Sequence, residues 1–217
     1  PAFLAQAWRQ VLAHYSEGSL PPPLAEFDRR KAARLDSLAQ RLRSQTFSPS
    51  PASLIYIPKP NHPGEQRPIS LLEPEDRIVL TALNAILSPI IERSLLPGCF
   101  AYHPRLGSRA AVEAVQRLIL DGYGHVATAD INDFFATIDR PLLFQQIRAR
   151  IWETPVLHLL EAFLHIGAAT RDLQWQDTGL GIAQGSPASP ALSNLYLAAF
   201  DRLLEKSGLP WLRYADN

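Results

Sequence analysis

The chain has 217 residues, no net charge, 47% hydrophobic and 19% charged residues, as expected for an ordinary globular protein of one large or two small domains. Its single cysteine, Cys99, excludes an internal disulfide and favours a reducing compartment, so we expect a cytoplasmic protein. The apolar run at 78–91 is too short and too polar to span a membrane, and no signal-peptide pattern opens the chain.

Two further features concern the ends of the chain and its charge. Methionine is absent, even at position 1, so we expect a fragment of a longer protein. Residues 1–50 carry seven basic against four acidic side chains, and residues 125–217 carry seven against ten. This pattern would suit a protein that holds a phosphate backbone at one end and metal ions at the other, although a bland surface explains so small an asymmetry equally well.

The first half of the sequence predicts helices and one hairpin. A helix over 1–18 precedes a stiff proline linker, and a second helix over 24–46 has apolar positions at helical spacing: Leu24, Phe27, Leu35, Leu38 and Leu42. The six basic side chains of that second helix form either a solvated face or a patch that contacts a template strand. Further elements in chain order are a hairpin at 54–70, a helix at 75–92, and a helix that Ser108 caps and that buries Val112, Val115, Leu118 and Ile119.

The second half alternates short strands with helices. The expected elements are a strand at 125–131, a helix at 141–151 entered through an Asp139 cap, a helix at 155–166, extended residues at 174–175 and 179–182, a helix at 189–206 with Leu192, Leu195, Ala199 and Leu203 buried, and a strand at 211–214 followed by a turn at 215–217.

Two aspartates stand at the ends of the two strands in this half. Asp130 closes the strand at 125–131, and Asp216 lies in the turn after the strand at 211–214. Two carboxylates so far apart in sequence can meet only if the two strands lie side by side. Carboxylates held in this way are ligands for hard divalent cations, and two such cations can promote phosphoryl transfer. Taken alone, an aspartate at a strand end is more often a cap or a turn residue.

Three segments match a known set of motifs in both their residues and their order along the chain. They are Ala-Asp-Ile-Asn-Asp-Phe-Phe (129–135), Ala-Gln-Gly-Ser-Pro (183–187) and Tyr-Ala-Asp-Asn (214–217). Over about 55–217 the chain resembles a bacterial reverse transcriptase of the group II intron, retron and CRISPR-associated kind. The resemblance implies an α/β right-hand polymerase fold that is rich in helices. It implies fingers at 1–120 with the hairpin, and an incomplete palm at 121–217 with a small antiparallel sheet and no thumb.

The resemblance also implies which residues carry the chemistry. Asp130 and Asp216 would be catalytic ligands of two Mg²⁺ ions, or of Mn²⁺ in their place, and Ile131 would lend a backbone carbonyl to one metal. Phe135 would close the floor under the sugar and select deoxynucleotides, although a core role is the default for any phenylalanine. Because adjacent strand residues face opposite ways, one of Phe134 and Phe135 can be core and the other can be the gate.

Other motif positions would bind the nucleotide, the template or the primer. Gln184 would contact the incoming nucleotide or the template base, and Gly185 would let the backbone approach it closely. Lys59 and Arg67 would grip the triphosphate, against the simpler interpretation of a basic hairpin tip. The remaining two positions are Arg105, for phosphate or template contact, and Tyr214, near the primer end.

The sequence departs from the family pattern in three places. Ala183 stands where proline is usual, and His103-Pro104 replaces Phe-Arg in a fingers block. Asn217 stands where the family has a second aspartate, and an asparagine offers one carbonyl oxygen and no charge. An engineered change, natural decay and an artefact of a sequence end all explain Asn217. We expect this chain to be weak or inactive as a catalyst.

The resemblance predicts an RNA-directed DNA polymerase that uses an RNA template, a DNA or RNA primer and deoxynucleoside triphosphates. The alternative is an inactive, reverse-transcriptase-like fragment that binds nucleic acid. An RNA-dependent RNA polymerase is disfavoured by the bulk of Phe135. Fused or associated maturase, nuclease or Cas1-like modules are expected partners, and introns, retrons, CRISPR adaptation and phage defence all remain open as the biological system.

Overall fold

A computed structural model describes residues 1–16, 18–58, 64–103, 106–166, 168–169 and 180–217. Within these ranges the protein is rich in helices and has one small sheet. The elements in chain order are α1 (Ala2–Leu12), α2 (Pro22–Arg29), α3 (Lys31–Arg43), β1 (Ala52–Pro58), β2 (Gln66–Leu71), α4 (Pro74–Glu92), α5 (Ser108–Leu120), α6 (Phe134–Thr137), α7 (Arg140–Arg148), α8 (Thr154–Leu164), β3 (Ala168–Ala169) and α9 (Ser189–Lys206).

The long helix α4 lies at the centre of the hydrophobic core, where it packs against α1, α2 and α9. Its apolar residues recur at helical spacing, and Ile78, Leu83 and Leu87 are fully or almost fully buried. Trp8 of α1 stacks at a tilt on Phe27 of α2, with ring centroids 4.8 Å apart. These contacts join the N-terminal helices to the core on which the rest of the chain is built. Among the described residues, no helix combines the length and apolarity that a membrane crossing requires.

The hairpin predicted at 54–70 is confirmed. Strands β1 and β2 pair antiparallel in a register that runs from Ser53 opposite Leu71 to Pro58 opposite Gln66. The short strand β3 adds to the other side of β1 in parallel, so the strand order is β2-β1-β3. The β3 pairing was not predicted, because two alanines carry no strand signal of their own.

The helix expected over 24–46 is interrupted, and the prediction was wrong at Arg30. There φ is −121°, so the chain leaves the helical region between α2 and α3. The exposed basic side chains at this junction have acidic neighbours one helical turn away: Arg29 pairs with Glu26, and Lys31 with Asp28 at 3.0 Å. Local pairing of this kind favours the solvated helix face over the template patch.

Both strands expected beside the aspartates are absent. Residues 125–131 have no regular strand, and residues 211–214 contribute only one isolated bridge, between Arg213 and Cys99. A strand needs a ladder of backbone hydrogen bonds to a partner strand. Here the Ile131 N–H donates to the Asp216 carbonyl, and the bonds of Arg213 to Gly98 and Phe100 make one isolated bridge rather than a ladder. The predicted antiparallel palm sheet is therefore not formed here, and the antiparallel pair of this fold is β1 with β2.

Three expectations about helices were also wrong. Gly107, not Ser108, occupies the N-cap position of α5, and the expected apolar stripe of α5 includes Val112 and Ile119, which are exposed. Ala199 and Leu203 of α9, both expected to be buried, are exposed as well. Periodicity identified these helices but could not show whether another element covers them. The Asp139 cap is confirmed, since its carboxylate accepts a hydrogen bond from the Leu142 backbone N–H at 2.7 Å.

Candidate active site

Asp130 and Asp216 lie next to each other although 86 positions separate them. The Ile131 backbone N–H donates to the Asp216 carbonyl at 3.1 Å, which joins the two aspartate segments directly. The Asn217 side-chain Nδ2 donates to Asp130 Oδ1 at 2.9 Å. Asp130 and Asn217 are exposed, and Asp216 is half-buried. Asp130 therefore lies at an accessible surface, at the point where two separate chain segments meet.

Asp216 sits in a tight turn. Tyr214 and Asn217 exchange two backbone hydrogen bonds, at 2.8 and 3.2 Å, so Ala215 and Asp216 form the tip. Ala215 has a φ of +61°, a left-handed conformation that costs a residue with a Cβ about 1–2 kcal/mol. The strained turn must be held by its surroundings.

A buried polar cluster lies directly beneath this turn. It consists of Cys99, Asn194, Asp201 and Arg213, each of which is at most 3% exposed. The Arg213 guanidinium forms a two-pronged ion pair with the Asp201 carboxylate, with both N–O distances 2.7 Å. Burial lowers the pKa of Arg213, but the Asp201 hydrogen bonds and the neighbouring charges outweigh it and raise the pKa above its ordinary value. Burial raises the pKa of the Cys99 thiol, which stays protonated.

The predicted nucleotide-binding segments are tied together by backbone hydrogen bonds. The Ser70 N–H of β2 donates to the Gln184 carbonyl at 2.8 Å, and the Ile182 N–H donates to the Phe135 carbonyl at 2.8 Å. Phe135 lies four residues beyond Ile131, which contacts the Asp216 turn. Backbone hydrogen bonds and short stretches of chain thus connect the hairpin to the segments of both aspartates.

Gly185 has a geometry that requires glycine. Its φ is +97°, and a Cβ there would lie 3.1 Å from Ile69 Cγ2 of β2. The backbone of this loop therefore lies close against β2, and a side chain here would require both a strained backbone and a small shift of Ile69.

Phe134 and Phe135 belong to α6 rather than to a strand, so the expectation that they face opposite ways was based on the wrong period. Their rings meet edge to face, with centroids 5.4 Å apart. Phe134 is 4% exposed and packs in the core, whereas Phe135 is half-buried at its edge. The division into one core ring and one more accessible ring arises because consecutive helical residues point about 100° apart.

Among the predicted cationic residues, Arg67 alone falls in the described part of the chain. It is half-buried on β2, and its Nε is buried with no hydrogen-bond partner among the described residues. Lys59 and Arg105 lie outside the described residues, as do Gln174, Trp175 and Gly179.

The sequence did not assign a role at this site to two residues, Tyr102 and Arg213. Tyr102 has a φ of +56°, and its pKa is raised by burial and by the nearby charge of Asp216. Arg213 was read only as part of a strand. A signal for Arg213 was present, since a charge inside the apolar run Trp-Leu-Arg-Tyr implies a buried partner.

The donor set fits a hard divalent cation. Asp130 and Asp216 offer carboxylate oxygens, and the carbonyl oxygens of Ile131 and Asn217 lie in the same two segments. Mg²⁺ is typically held by one or two carboxylates and completes its shell with water and substrate phosphates. In the described residues no group of three or more His, Cys, Asp or Glu side chains is placed to hold a metal.

A groove of about 710 Å³ leads away from this region between α1 and α4. It reaches Gly185 and Pro187 at one side, and its polar lining consists of Gln10, His14, Arg77, Thr81 and Asn84. Arg77 donates to the Tyr15 hydroxyl at 2.6 Å and lies 5.5 Å from the Tyr15 ring centroid.

A family model described as reverse transcriptase (RNA-dependent DNA polymerase) matches residues 57–217. The chain belongs to the reverse transcriptase family. Protein YkfC of Escherichia coli (strain K12) is 30% identical over 216 residues, which cover 95% of this chain and 55% of YkfC. The group II intron-encoded protein LtrA of Lactococcus lactis subsp. cremoris is 26% identical over 171 residues, which cover 79% of this chain and 28% of LtrA. The chain thus spans about half or less of these relatives.

Among solved structures, a chain of a partial Cas6-RT-Cas1–Cas2 complex superposes with a TM-score of 0.58 at 24% identity. The match covers all of this chain and 36% of the other. At this identity the likeness shows the fold, which is the helix-rich fingers and palm arrangement of this family.

Proposed function

We propose that this chain is the fingers and part of the palm of an RNA-directed DNA polymerase, with fingers over 1–120 and palm over 121–217. The observation that carries the proposal is the direct link between the two aspartate segments, the 3.1 Å hydrogen bond from Ile131 N–H to the Asp216 carbonyl. Membership of the reverse transcriptase family indicates the class of reaction, and the link between the aspartate segments indicates where in the molecule the reaction would occur.

The reaction is transfer of a nucleotide to a primer. The primer 3′-hydroxyl oxygen bonds to the α-phosphorus of a deoxynucleoside triphosphate in line, the bond to pyrophosphate breaks, and the hydroxyl proton is lost to solvent. Asp130, Asp216 and the Ile131 carbonyl would hold two Mg²⁺ ions, or Mn²⁺ in their place. When bound, such ions activate the attacking hydroxyl and neutralise charge on the departing pyrophosphate.

The remaining residues position the substrates. Arg67, whose buried Nε has no hydrogen-bond partner among the described residues, is suited to a phosphate oxygen of the nucleotide. The half-buried ring of Phe135 would exclude a 2′-hydroxyl, and Gln184 with Gly185 would shape the base pocket beside β2. Lys59 would assist Arg67, while Arg105 and Tyr214 would contact the template and the primer end. The polar groove between α1 and α4 supports a path for a nucleic-acid strand to Gly185.

The partners are an RNA template and a DNA or RNA primer. Since the chain spans 55% of YkfC and 28% of LtrA, we propose that a maturase, nuclease or Cas1-like module accompanies it. The intron-encoded relatives support a maturase, and the fold neighbour from a Cas6-RT-Cas1–Cas2 complex supports a Cas1-like module.

A second candidate, a nucleic-acid-binding domain without polymerase activity, is favoured by one specific contact. The Asn217 amide donates to Asp130 Oδ1 at 2.9 Å and so occupies an oxygen that the reaction needs for a cation. The same residue brings no charge of its own to the site.

Primer extension distinguishes the two candidates. The parent chain and Asn217→Asp are compared on an RNA template with a DNA primer, Mg²⁺ and each nucleotide type, and Asn217→Asp combined with Asp216→Asn is the inactive control. Polymerase function predicts that Asn217→Asp extends the primer with deoxynucleotides and that the control does not. Binding of the primer–template without extension by any variant supports the second candidate.

A further inference from the structure

Each N–H group of the buried Arg213 guanidinium donates a hydrogen bond. Its side chain is 3% exposed, and that of Asp201 is 1% exposed. Two of the five N–H groups bind the Asp201 carboxylate, one binds Cys99 Sγ at 3.1 Å, and one binds Asn194 Oδ1 at 3.0 Å. The fifth reaches the Ala215 carbonyl at 2.8 Å. An arginine carries five donors in a rigid fork, so the site is fully matched to it.

The fifth bond is the one that reaches the active site. Ala215 holds the left-handed φ of +61°, and its carbonyl belongs to the peptide that leads into Asp216. A donor fixed from below sets the orientation of that peptide plane. The next carbonyl, that of Asp216, accepts from Ile131 beside Asp130. A chain of hydrogen bonds therefore runs from the buried ion pair through the turn to both aspartates.

The base of this chain is anchored on two sides. The Arg213 N–H donates to the Gly98 carbonyl at 2.8 Å, and its own carbonyl accepts from Phe100 N–H at 2.9 Å. Asp201 and Asn194 both belong to α9, which packs on α4 in the core. The guanidinium thus couples a rigid helix to a strained turn at the surface.

We propose that Arg213 is a positioning residue of the polymerase site: its fork on Asp201 holds the Ala215 carbonyl and thereby sets Asp216 against Asp130. The proposal rests on the proposed function for its catalytic meaning, but the mechanical link stands on contacts that need no metal or substrate.

The test substitution is Arg213→Lys. A lysine keeps the positive charge opposite Asp201, so no buried charge is left unpaired, but its three donors on one nitrogen cannot serve both the carboxylate fork and the Ala215 carbonyl. Arg140→Lys is the matched control. Arg140 is also a buried arginine, and it donates to the carbonyls of Leu164 at 2.9 Å and Leu180 at 3.1 Å, neither of which belongs to the Asp216 turn.

The first readout is amide hydrogen exchange on the full chain, resolved at the Ile131 and Asn217 amides, whose acceptors lie in the turn. We expect Arg213→Lys to speed exchange at these two amides about tenfold, as the loss of one charge-assisted hydrogen bond implies, and Arg140→Lys to leave them unchanged. Asp201→Glu, which keeps the buried negative charge but displaces the carboxylate by one methylene, disturbs the fork and provides a second variant should the lysine substitution fail to fold. It should speed exchange at the same amides.

The second readout is Mn²⁺ affinity, measured by electron paramagnetic resonance of the free ion. We expect Arg213→Lys to weaken Mn²⁺ binding about tenfold, as outer-shell substitutions do, and Arg140→Lys to have no effect. Unchanged exchange in Arg213→Lys or in Asp201→Glu, or parental Mn²⁺ affinity in Arg213→Lys, would overturn the inference. A parent chain that binds no Mn²⁺ would instead count against the proposed function, and the exchange data would then decide the role of Arg213.

Discussion

Replacing Asn217 with aspartate turns an attractive contact into a repulsive one. The parent amide donates to Asp130 Oδ1 at 2.9 Å, and a carboxylate in its place has no proton to donate. Two like charges then face each other at the surface, with Asp216 close by in the same turn. We expect Asn217→Asp to be less stable than the parent without divalent cations, and to recover that loss when Mg²⁺ is added.

The size of the effect follows from the contact distance and the exposure of both groups. Unit charges about 4 Å apart interact by about 1 kcal/mol at the dielectric constant of water and by about 4 kcal/mol near a protein surface. Since Asp130 and Asn217 are both exposed, the lower part of this range applies, about 1–2 kcal/mol. A cation that relieves this repulsion gains the same free energy, so Mg²⁺ should bind roughly 5- to 30-fold more tightly to Asn217→Asp than to the parent.

The assay is thermal unfolding across a Mg²⁺ titration at constant ionic strength. Asn132→Asp is the control, because it adds the same charge to the exposed loop two residues after Asp130. Asn217→Asp should lose stability without Mg²⁺ and show the larger Mg²⁺-dependent rise in melting temperature. Equal rises in the parent, Asn132→Asp and Asn217→Asp would refute the reasoning, since a general charge effect would then explain the result.

Three further substitutions have defined outcomes. Asp76 is 1% exposed, and burial raises its pKa from 3.8 to about 6, so the folded state favours the neutral acid and loses stability as pH rises through this range. We therefore expect Asp76→Asn to be more stable than the parent at pH 7.5 by up to about 3 kcal/mol. Urea unfolding should show that this advantage is gone below pH 4. Phe135→Ala in the Asn217→Asp background should reduce the preference for deoxynucleotides over ribonucleotides about tenfold in single-nucleotide extension, and an unchanged preference would remove Phe135 from the sugar site. Gly185→Ala should cost about 1–3 kcal/mol in urea unfolding because of its φ of +97° and the contact with Ile69, and a neutral result would contradict the close approach to β2.

The sequence predicted the long helices well because each carries its own signal. In α4 and α9 apolar residues recur at helical spacing, and proline near the first turn marks where each helix begins. The Asp139 cap is equally local, since the carboxylate and the amide it binds are three residues apart. The hairpin was predictable because two apolar runs flank a turn-rich segment.

Features that depend on distant partners could not be read in the same way. The strand expected at 125–131 failed because strand formation requires a neighbour, which no local pattern supplies. The exposure of Val112 on α5 likewise depends on whether another element covers that face. The Arg213 cluster joins residues 12, 19 and 114 positions away, so its role became visible only in three dimensions.

The candidate site was predicted through motif order rather than through structure. The motif residues around Asp130 and Asp216 identified both aspartates, and the structure brings their two segments together through Ile131. The predicted geometry of adjacent strands was wrong, since a turn and an irregular segment hold the aspartates. The roles of Phe135, Gln184 and Arg67 remain predictions.

The most direct test of a shared cation is Mn²⁺ binding to the parent chain, Asp130→Asn and Asp216→Asn, followed by electron paramagnetic resonance. If both carboxylates hold the same ion, each single substitution abolishes the same binding event while thermal unfolding without metal stays near that of the parent. Parental Mn²⁺ affinity in either variant would show that the two aspartates do not form one metal site, and the polymerase account would fail with it.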